Sequence, residues 1–153
     1  MSDTATQVAA LHAEVDALSF TSFGVDDAWR LGSTIRRLAV ERNLGVAIDV
    51  RIGEQQVFHT ALPGTTADND DWIARKVALV RRFDAASFPL AVAHRASGRD
   101  FPPHLDPRRM AFAGGCVPIR IRGTQVGTVT VSGLPDVEDH RLVLEGIRAF
   151  LAG

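Results

Sequence analysis

The chain has 153 residues, enough for one domain and few for two, and its hydrophobic fraction of 46% and charged fraction of 23% are those of an ordinary globular protein. A net charge of -1 gives no overall attraction to nucleic acid or to a membrane surface, and no apolar run approaches the ~18 residues of a membrane span. The single cysteine, Cys116, excludes an internal disulfide and is typical of a reducing compartment, so the sequence predicts a cytoplasmic protein.

Two amphipathic helices are predicted near the N-terminus, with a short strand between them. Apolar residues at helical spacing place the first helix at 6–18, and LSFTSF at 18–23 alternates apolar and hydroxyl residues as a short edge strand does. The second helix begins at Asp26 and ends before Asn43 and Gly45. Its apolar stripe consists of Ala28, Leu31, Ile35, Leu38 and Ala39.

Two β-hairpins are predicted, and they define the sheet. VAIDVRI and QQVFHTAL flank Gly53-Glu54, while CVPIRIR and QVGTVTVSG flank Gly123-Thr124, so each pair of β-branched arms surrounds a glycine turn. The last arm alternates valine and threonine in a way that favours packing on both faces, which predicts helices on each side of the sheet. Because the clearest strand pairs are hairpins, we expect an α+β chain with a mostly antiparallel sheet.

The segment LPGTTADNDDWIARK, residues 62–76, joins the first hairpin to a helix predicted over 69–83. Its hydroxyl and carboxylate groups can accept hydrogen bonds from the free amides of the first helical turn, and the aspartates favour the positive end of the helix dipole. The candidate caps are Thr65, Thr66 and Asp68. The side chains predicted to be buried are Trp72, Ile73, Val77, Val80 and Phe83.

Three interpretations of this polar segment stay open. The first is capping alone, and the second adds a subunit contact through Asp70, Trp72 and Arg75. The third is a ligand site, since free amides at a helix start bind anions, although the three aspartates would repel an anion there. The DNDD run lacks the ligand spacing of a calcium loop, and no two histidines share helical i, i+4 spacing, so no metal site is predicted.

The region between the helix at 69–83 and the second hairpin is less regular. Pro89 predicts that any helix continuing past residue 85 is bent or broken. RDFPPHLDP at 99–107 is predicted to be a loop, and Asp106-Pro107 favours one short helical turn after it. The chain is predicted to end in a helix from Asp136 to Leu151.

Five phrases of the sequence, taken together, carry a family resemblance. They are AIDVRI, VFHTALPGTTADNDDWIARK, VRRF, GGCVPIRIRG and VGTVTVSGLPDVEDH, and they lie between about Phe23 and Phe150. The chain resembles the haem-degrading-domain family, also called GlcG/HbpS-like, and is most similar to its branch of small bacterial and fungal proteins. On this resemblance residues 1–22 form an N-terminal helix and edge segment, and residues 23–153 form a single domain.

The resemblance implies a three-layer α/β/α fold of the profilin-like type, with an antiparallel sheet of about five strands. It also implies a homo-oligomer, commonly a dimer built up into a ring. Some members of the family bind haem or iron, so small-molecule binding is the expected role. The alternatives are an enzyme of oxidative haem or small-carboxylate chemistry, and an assembly or chaperone-associated protein without a pocket.

Gly114-Gly115 is the preferred candidate ligand site in the sequence. Two glycines let the backbone approach a ligand closely, and Arg75 and Lys76 on the neighbouring helix supply positive charge for a small anion or for haem propionates. His140, which follows Asp139 near the SGLP turn, is the most site-like of the five histidines. Its structural alternative is packing beside Leu144, with a neighbouring aspartate capping the helix.

Other chemistry finds less support in the sequence. There is no Cys-x-x-Cys-His motif, so any haem would be bound without covalent attachment. Cys116 opens a predicted core strand and is expected to be a small buried hydrophobe. His94 and His104 flank the proline-rich loop and are expected to face solvent. The excess of basic residues over 75–109 is local and comes with no recognition motif, so no nucleic-acid partner is predicted.

Overall fold

The computed structural model describes residues 3–153, which form five helices and four strands. In chain order they are α1 (Asp3–Asp16), α2 (Val25–Glu41), β1 (Ala47–Ile52), β2 (Gln55–Ala61), α3 (Ala67–Phe83), α4 (Ser87–Ser97), β3 (Cys116–Ile121), β4 (Thr124–Ser132) and α5 (Asp136–Ala152). Both predicted hairpins and the four predicted helices are confirmed. Helix α4 is an addition to the predicted set.

The four strands form one antiparallel sheet in the order β2-β1-β4-β3. The expectation of a fifth strand is wrong for the described residues 3–153, because the segment 18–23 makes a single parallel bridge, between Phe20 and Ile121 of β3. The ring of Phe20 packs instead against Phe23 and Phe150, at centroid distances of 5.2 and 5.9 Å. The alternation in this segment therefore reflects an aromatic cluster and not a strand.

Helices cover both faces of the sheet, which confirms the three-layer arrangement. Helices α2 and α5 pack together and on one face, and α3 packs on the other. The sheet residues under α2 and α5 are Ile48, Val50, Val117, Ile119, Val129 and Val131. The smaller cluster under α3 is Ala47, Ile73, Val77, Val80 and Cys116. Strand residues alternate between the two clusters, as the pleat of a sheet requires.

The two faces of the sheet differ in chemistry. The face under α2 and α5 is apolar, and Gly146 of α5 brings these helices so close that an added Cβ would overlap the buried side chain of Ile35. The face under α3 carries buried polar side chains, namely Asp49, Thr128, Thr130 and Ser132. Asp49 accepts hydrogen bonds from Arg51 Nε at 3.0 Å and Gln56 Nε2 at 2.6 Å, so its buried carboxylate is compensated.

Helix α3 begins at the predicted cap. Thr66 Oγ1 accepts a hydrogen bond from the Asp68 amide at 3.2 Å, and Asn69 Oδ1 accepts one from the Thr66 amide at 2.9 Å. The two bonds form a reciprocal capping box, which satisfies donors that a helix start leaves free. The predicted buried stripe is correct in its centre and wrong at its ends, because Trp72 is half-buried and Phe83 is 42% exposed.

Helix α3 ends at Phe83 and α4 begins at Ser87, so no helix continues through residue 85, in agreement with the prediction from Pro89, although the region after it is more regular than expected. Pro89 lies in the first turn of α4, where a helix has no hydrogen-bond acceptor for the missing N–H, so the proline costs little there. Ser87 ties the start of α4 to β3, since its Oγ accepts a hydrogen bond from the Cys116 amide at 3.0 Å. Helix α1 packs on α4.

The loop at 99–107 is confirmed, and it ends in the predicted helical turn. The amides of Arg109 and Met110 both donate to the Asp106 carbonyl at 3.0 Å, and the Asp106 carboxylate accepts from the Arg108 amide at 2.9 Å. The carboxylate therefore caps the turn.

Candidate functional site

The predicted site around Gly114-Gly115 lies beside a small cavity of about 240 Å³. The cavity opens between the start of α3, the end of β4 and the start of α5, and we call it the Lys76 cavity. Its polar lining side chains are Asp68, Asn69, Lys76, Ser132, Asp136 and Asp139, with Trp72 also in the wall. This volume lies below the roughly 300–1,000 Å³ of sites for drug-sized ligands, so only a small molecule or side chain fits.

A buried ion pair lies at the wall of the Lys76 cavity. The side chains of Lys76 and Asp139 are 3% and 2% exposed, and Lys76 Nζ lies 3.2 Å from Asp139 Oδ2. Lys76 Nζ also donates to the Val131 carbonyl at 3.0 Å, and Asp139 Oδ1 accepts from the Leu134 amide at 3.0 Å. Burial raises the pKa of the Asp139 carboxyl to about 6, although the Lys76 ammonium lowers it.

Gly115 is required by this ion pair. Its φ of +127° is a conformation that L-residues with a side chain rarely adopt, and an added Cβ would lie 2.9 Å from both Lys76 Nζ and Asp139 Cβ. The Gly114 amide donates to Asp136 Oδ2 at 2.9 Å, and the same carboxylate oxygen accepts from Arg95 Nη2 at 2.6 Å. The two glycines thus let β3, α3 and α5 approach one another.

The electrostatics of the Lys76 cavity do not favour the small anion expected from the sequence. The single ammonium in its lining is already paired with Asp139, while Asp68 and Asp136 add two further carboxylates. An anion placed there would be repelled by carboxylates within a few ångströms. The geometry favours a small neutral or cationic polar group.

Arg75, another predicted site residue, is not among the residues that line the Lys76 cavity. Its guanidinium stacks on the Trp72 ring, 4.0 Å from the centroid, and its Nε lies 2.9 Å from Asp71 Oδ2. Asp70 pairs with His59 at 2.7 Å. Trp72, Arg75 and the neighbouring acids therefore form a polar surface at the start of α3, separate from the ion pair of Lys76.

His140 is also separated from the Lys76 cavity, although it follows Asp139 in sequence. Successive helical residues point about 100° apart, so His140 faces away from Lys76. Its ring lies 5.0 Å from that of Phe88, and it borders a groove of about 950 Å³ between α1 and α5. Burial lowers the pKa of His140 to about 4, so the imidazole is neutral at pH 7.

A third concavity was not anticipated from the sequence. It measures about 690 Å³, and we call it the aromatic cavity; its principal lining residues are Phe83, Leu90, His94, Arg99, Phe101, His104 and Phe112. His94 stacks on Phe112 with a centroid distance of 4.2 Å and an interplanar angle of 17°, and Phe101 meets Phe112 edge to face at 5.6 Å. His94 is half-buried, not solvent-facing as expected, whereas His104 is exposed.

Two further sequence expectations concern reactive groups. Cys116 is fully buried, and burial raises the pKa of its thiol to about 12, so it is a packing residue as predicted and not a nucleophile.

Within residues 3–153, no group of three or more His, Cys, Asp or Glu side chains is arranged to hold a metal ion. In the same part of the chain, no helix is both long and apolar enough to cross a membrane.

The three-layer fold and these sites can be compared with known proteins. A family model described as "Haem degrading protein HbpS-like" matches residues 23–148, which is most of the chain. The chain belongs to this family. It is also 48% identical over 151 residues to a UPF0303 protein of Streptomyces coelicolor, a match that covers 97% of this chain and 96% of the relative.

Solved structures show the same HbpS-like fold. The Ybr137w protein superposes with a TM-score of 0.86 at 29% identity, covering 95% of this chain and 88% of that one. A PduOC protein solved as a haem complex superposes with a TM-score of 0.71 at 14% identity, covering 84% of this chain and 94% of that one. At that identity the second match shows the fold alone.

Breaking the buried ion pair should cost far more stability than removing a surface charge. We expect Lys76→Met to lower the free energy of unfolding by roughly 3–5 kcal/mol, because it leaves the Asp139 carboxylate buried without its partner. The double variant Lys76→Met with Asp139→Leu should recover most of that loss, since neither charge is then buried. Urea unfolding followed by circular dichroism measures both.

Arg82→Met is the matched control, because Arg82 is exposed in the last turn of the same helix. Its effect should stay within about 0.5 kcal/mol. Equal, small losses in Lys76→Met and Arg82→Met would show that Lys76 is not buried as described.

The stability of the protein should depend on the titration of His140. Its pKa is about 4 in the folded protein against 6.5 for an unperturbed histidine, so between these values the unfolded chain takes up a proton that the folded chain does not. This contribution to stability is therefore lost as pH falls from 6.5 to about 4, and it amounts to about 3 kcal/mol in all.

His140→Phe should lack this component. Asp139 gives the opposite pH dependence, since its raised pKa makes stability fall as pH rises from 3.8 to about 6. Because the wild-type protein and His140→Phe both contain Asp139, its contribution cancels in the difference between their unfolding free energies. The measurement compares the unfolding free energies of the wild-type protein and His140→Phe between pH 6.5 and about 4. A constant difference between them would mean that the folded imidazole titrates normally.

Proposed function

We propose that the protein binds haem, or a planar ligand of the same kind, in the aromatic cavity without covalent attachment. The observation that carries the proposal is the pairing of two imidazoles with an aromatic wall. His94 and His104 line the cavity together with Phe101 and Phe112. Within residues 3–153 neither imidazole ring has a hydrogen-bond partner, so its nitrogens are available to a ligand.

The size and polarity of the aromatic cavity fit a haem-type ligand. Its volume of about 690 Å³ lies inside the range for sites that hold drug-sized molecules, whereas the Lys76 cavity of about 240 Å³ lies below it. Phenylalanine, leucine and proline make up half of the lining residues. Such walls give a flat macrocycle stacking partners and exclude water from its faces.

Three polar residues of the aromatic cavity, His94, Arg99 and His104, have a role in this proposal. Imidazole is a common ligand of haem iron, so His94 or His104 would hold the iron. Arg99, at the cavity edge, would pair with a propionate, for which the planar guanidinium is well suited. When bound, haem supplies iron-centred redox and oxygen chemistry; the residues of this chain hold it, orient it and shield it.

The comparisons support the proposal in general terms. The family model is described as a haem-degrading one, and PduOC, which shares the fold, was solved as a haem complex. The proposal concerns binding, since breakdown of haem needs oxygen and an electron source in addition to the bound cofactor. An assembly protein without a pocket would not bind haem in a fixed ratio, whereas an enzyme of oxidative haem chemistry would also break down the bound haem when oxygen and a reductant are supplied.

Haem titration tests the proposal. The purified apo-protein should take up haemin in a fixed ratio with a shifted Soret band, and replacement of both cavity histidines, in His94→Leu with His104→Leu, should weaken binding by at least about tenfold, the loss of one ligand bond. The matched control is His12→Leu, on α1 and outside the aromatic cavity.

The control separates a specific site from general haem adsorption. Equal uptake by the double variant and by His12→Leu would place haem elsewhere and contradict the proposal. Uptake of haem without a fixed ratio would also contradict the proposal, because haem adsorbs non-specifically to apolar surfaces.

We further propose that the protein is a homo-oligomer. Helix α2 exposes three large apolar side chains, Val25, Trp29 and Val40, of which Trp29 is 65% exposed. The adjacent strand β2 is an edge of the sheet and presents unpaired backbone groups. Apolar patches of this kind mark contact surfaces. The polar surface at Asp70, Trp72 and Arg75 is the second contact candidate, as expected from the sequence.

Native mass spectrometry distinguishes the two candidate contacts. We expect the wild-type protein to be an oligomer, and Trp29→Glu to shift it to a smaller species, because a carboxylate in an apolar contact is costly. Trp72→Glu tests the contact surface at the start of α3. The control is Arg82→Glu, at an exposed position in the last turn of the same helix. A monomeric wild-type protein would contradict the proposal, and unchanged assembly in both tryptophan variants would exclude both surfaces.

A further inference from the structure

His140 is a buried polar side chain with no partner. It is 1% exposed, and within residues 3–153 neither Nδ1 nor Nε2 has a hydrogen-bond partner. A neutral imidazole carries one N–H donor and one acceptor nitrogen, and burying both without partners costs free energy. Native proteins rarely keep such a pair of unmade bonds without a water or a ligand to complete them.

The position of the ring indicates where a partner would lie. Phe88 covers one side of the imidazole, with ring centroids 5.0 Å apart and an interplanar angle of 32°. The ring also borders the groove between α1 and α5, which we call the His140 groove and which measures about 950 Å³. The apolar side chains around it include Leu11, Leu44 and Leu134.

The charges around the His140 groove balance. Three arginines and three glutamates lie in its lining, and each arginine is paired. Arg42 lies 2.6 Å from Glu145, Arg148 lies 2.8 Å from Glu14, and Arg141 lies 3.9 Å from Glu138. With the imidazole itself neutral, the groove presents no uncompensated charge, so an ion gains little by entering it.

We propose that the His140 groove binds a neutral, mostly apolar small molecule that carries one hydroxyl or carbonyl group, with that group hydrogen-bonded to His140. The apolar side chains take up the body of the molecule, and the imidazole, as donor or acceptor, supplies the directional contact. Each ring nitrogen is almost fully covered, so neighbouring side chains must move for the hydroxyl or carbonyl group to reach it. This site is separate from the aromatic cavity, whose lining does not include His140.

Hexan-1-ol and n-heptane form a matched pair of probes, since they have similar length and differ by a hydroxyl in place of a methyl group. We expect hexan-1-ol to bind the wild-type protein at least about tenfold more tightly than it binds His140→Phe, which keeps an aromatic ring and removes both nitrogens. Heptane should bind the two proteins equally. Hexanoate, the charged analogue, should bind the wild-type protein more weakly than hexan-1-ol does.

The matched control is His12→Phe, which removes an imidazole that lines neither the His140 groove nor the aromatic cavity and should leave hexan-1-ol binding unchanged. A second measurement needs no variant at His140. In protein labelled with ¹⁵N at histidine, long-range ¹H–¹⁵N spectra should show a shift of a His140 ring nitrogen on addition of hexan-1-ol and none on addition of heptane.

Three outcomes would overturn the proposal. They are equal affinity of hexan-1-ol for the wild-type protein and His140→Phe, binding that leaves the His140 nitrogens unshifted, and no binding at all. Because haem uptake is measured at His94 and His104, failure of either proposal leaves the other unaffected.

Discussion

The buried ion pair of Lys76 and Asp139 is the interaction on which the arrangement of the structure depends. It joins α3 to α5 across the end of β4, through residues 63 positions apart in sequence. A lysine and an aspartate can be buried only when each charge has hydrogen-bond partners. Here Lys76 also donates to the Val131 carbonyl, and Asp139 also accepts from the Leu134 amide. These partners fix the position of α3 on the sheet, and with it the width of the Lys76 cavity.

The ion pair also explains why the two sheet faces differ. Apolar packing under α2 and α5 tolerates side chains of many shapes, so long as the volume is filled. The face under α3 instead buries the charged groups of Asp49, Lys76 and Asp139, and charged groups in a core require specific partners. Gly115 makes this burial possible, because only a residue without a side chain leaves room for the Lys76 ammonium group.

Local sequence signals predicted the parts of the fold that local physics decides. Glycine turns identified both hairpins, and Thr66 was among the predicted caps of α3. Predictions that depended on distant contacts were less successful. The alternating residues at 18–23 form an aromatic cluster with Phe150, and the region predicted to be less regular contains α4, whose start is tied to β3 by the hydrogen bond between Ser87 and Cys116.

The candidate site shows the same division. Lys76 and Gly115 were named from the sequence and do meet, but their partner Asp139 lies far along the chain, so the neutralised charge could not be foreseen. His140 is predicted as a site residue because it follows Asp139 near the SGLP turn, but the structure separates the two side chains. On a helix one residue is a rotation of about 100°, which is enough to send Asp139 to the polar face and His140 to a different groove.

Helix α4 links the two proposed ligand sites. Phe88, in its first turn, covers His140, while Leu90 and His94 further along line the aromatic cavity. The helix is held at its start by Ser87 and near its end by the ion pair of Arg95 and Asp136, 2.6 Å apart. Asp136 in turn accepts the Gly114 amide, next to the Lys76 cavity. The shapes of all three concavities therefore depend on how this helix, which the sequence did not reveal, is anchored.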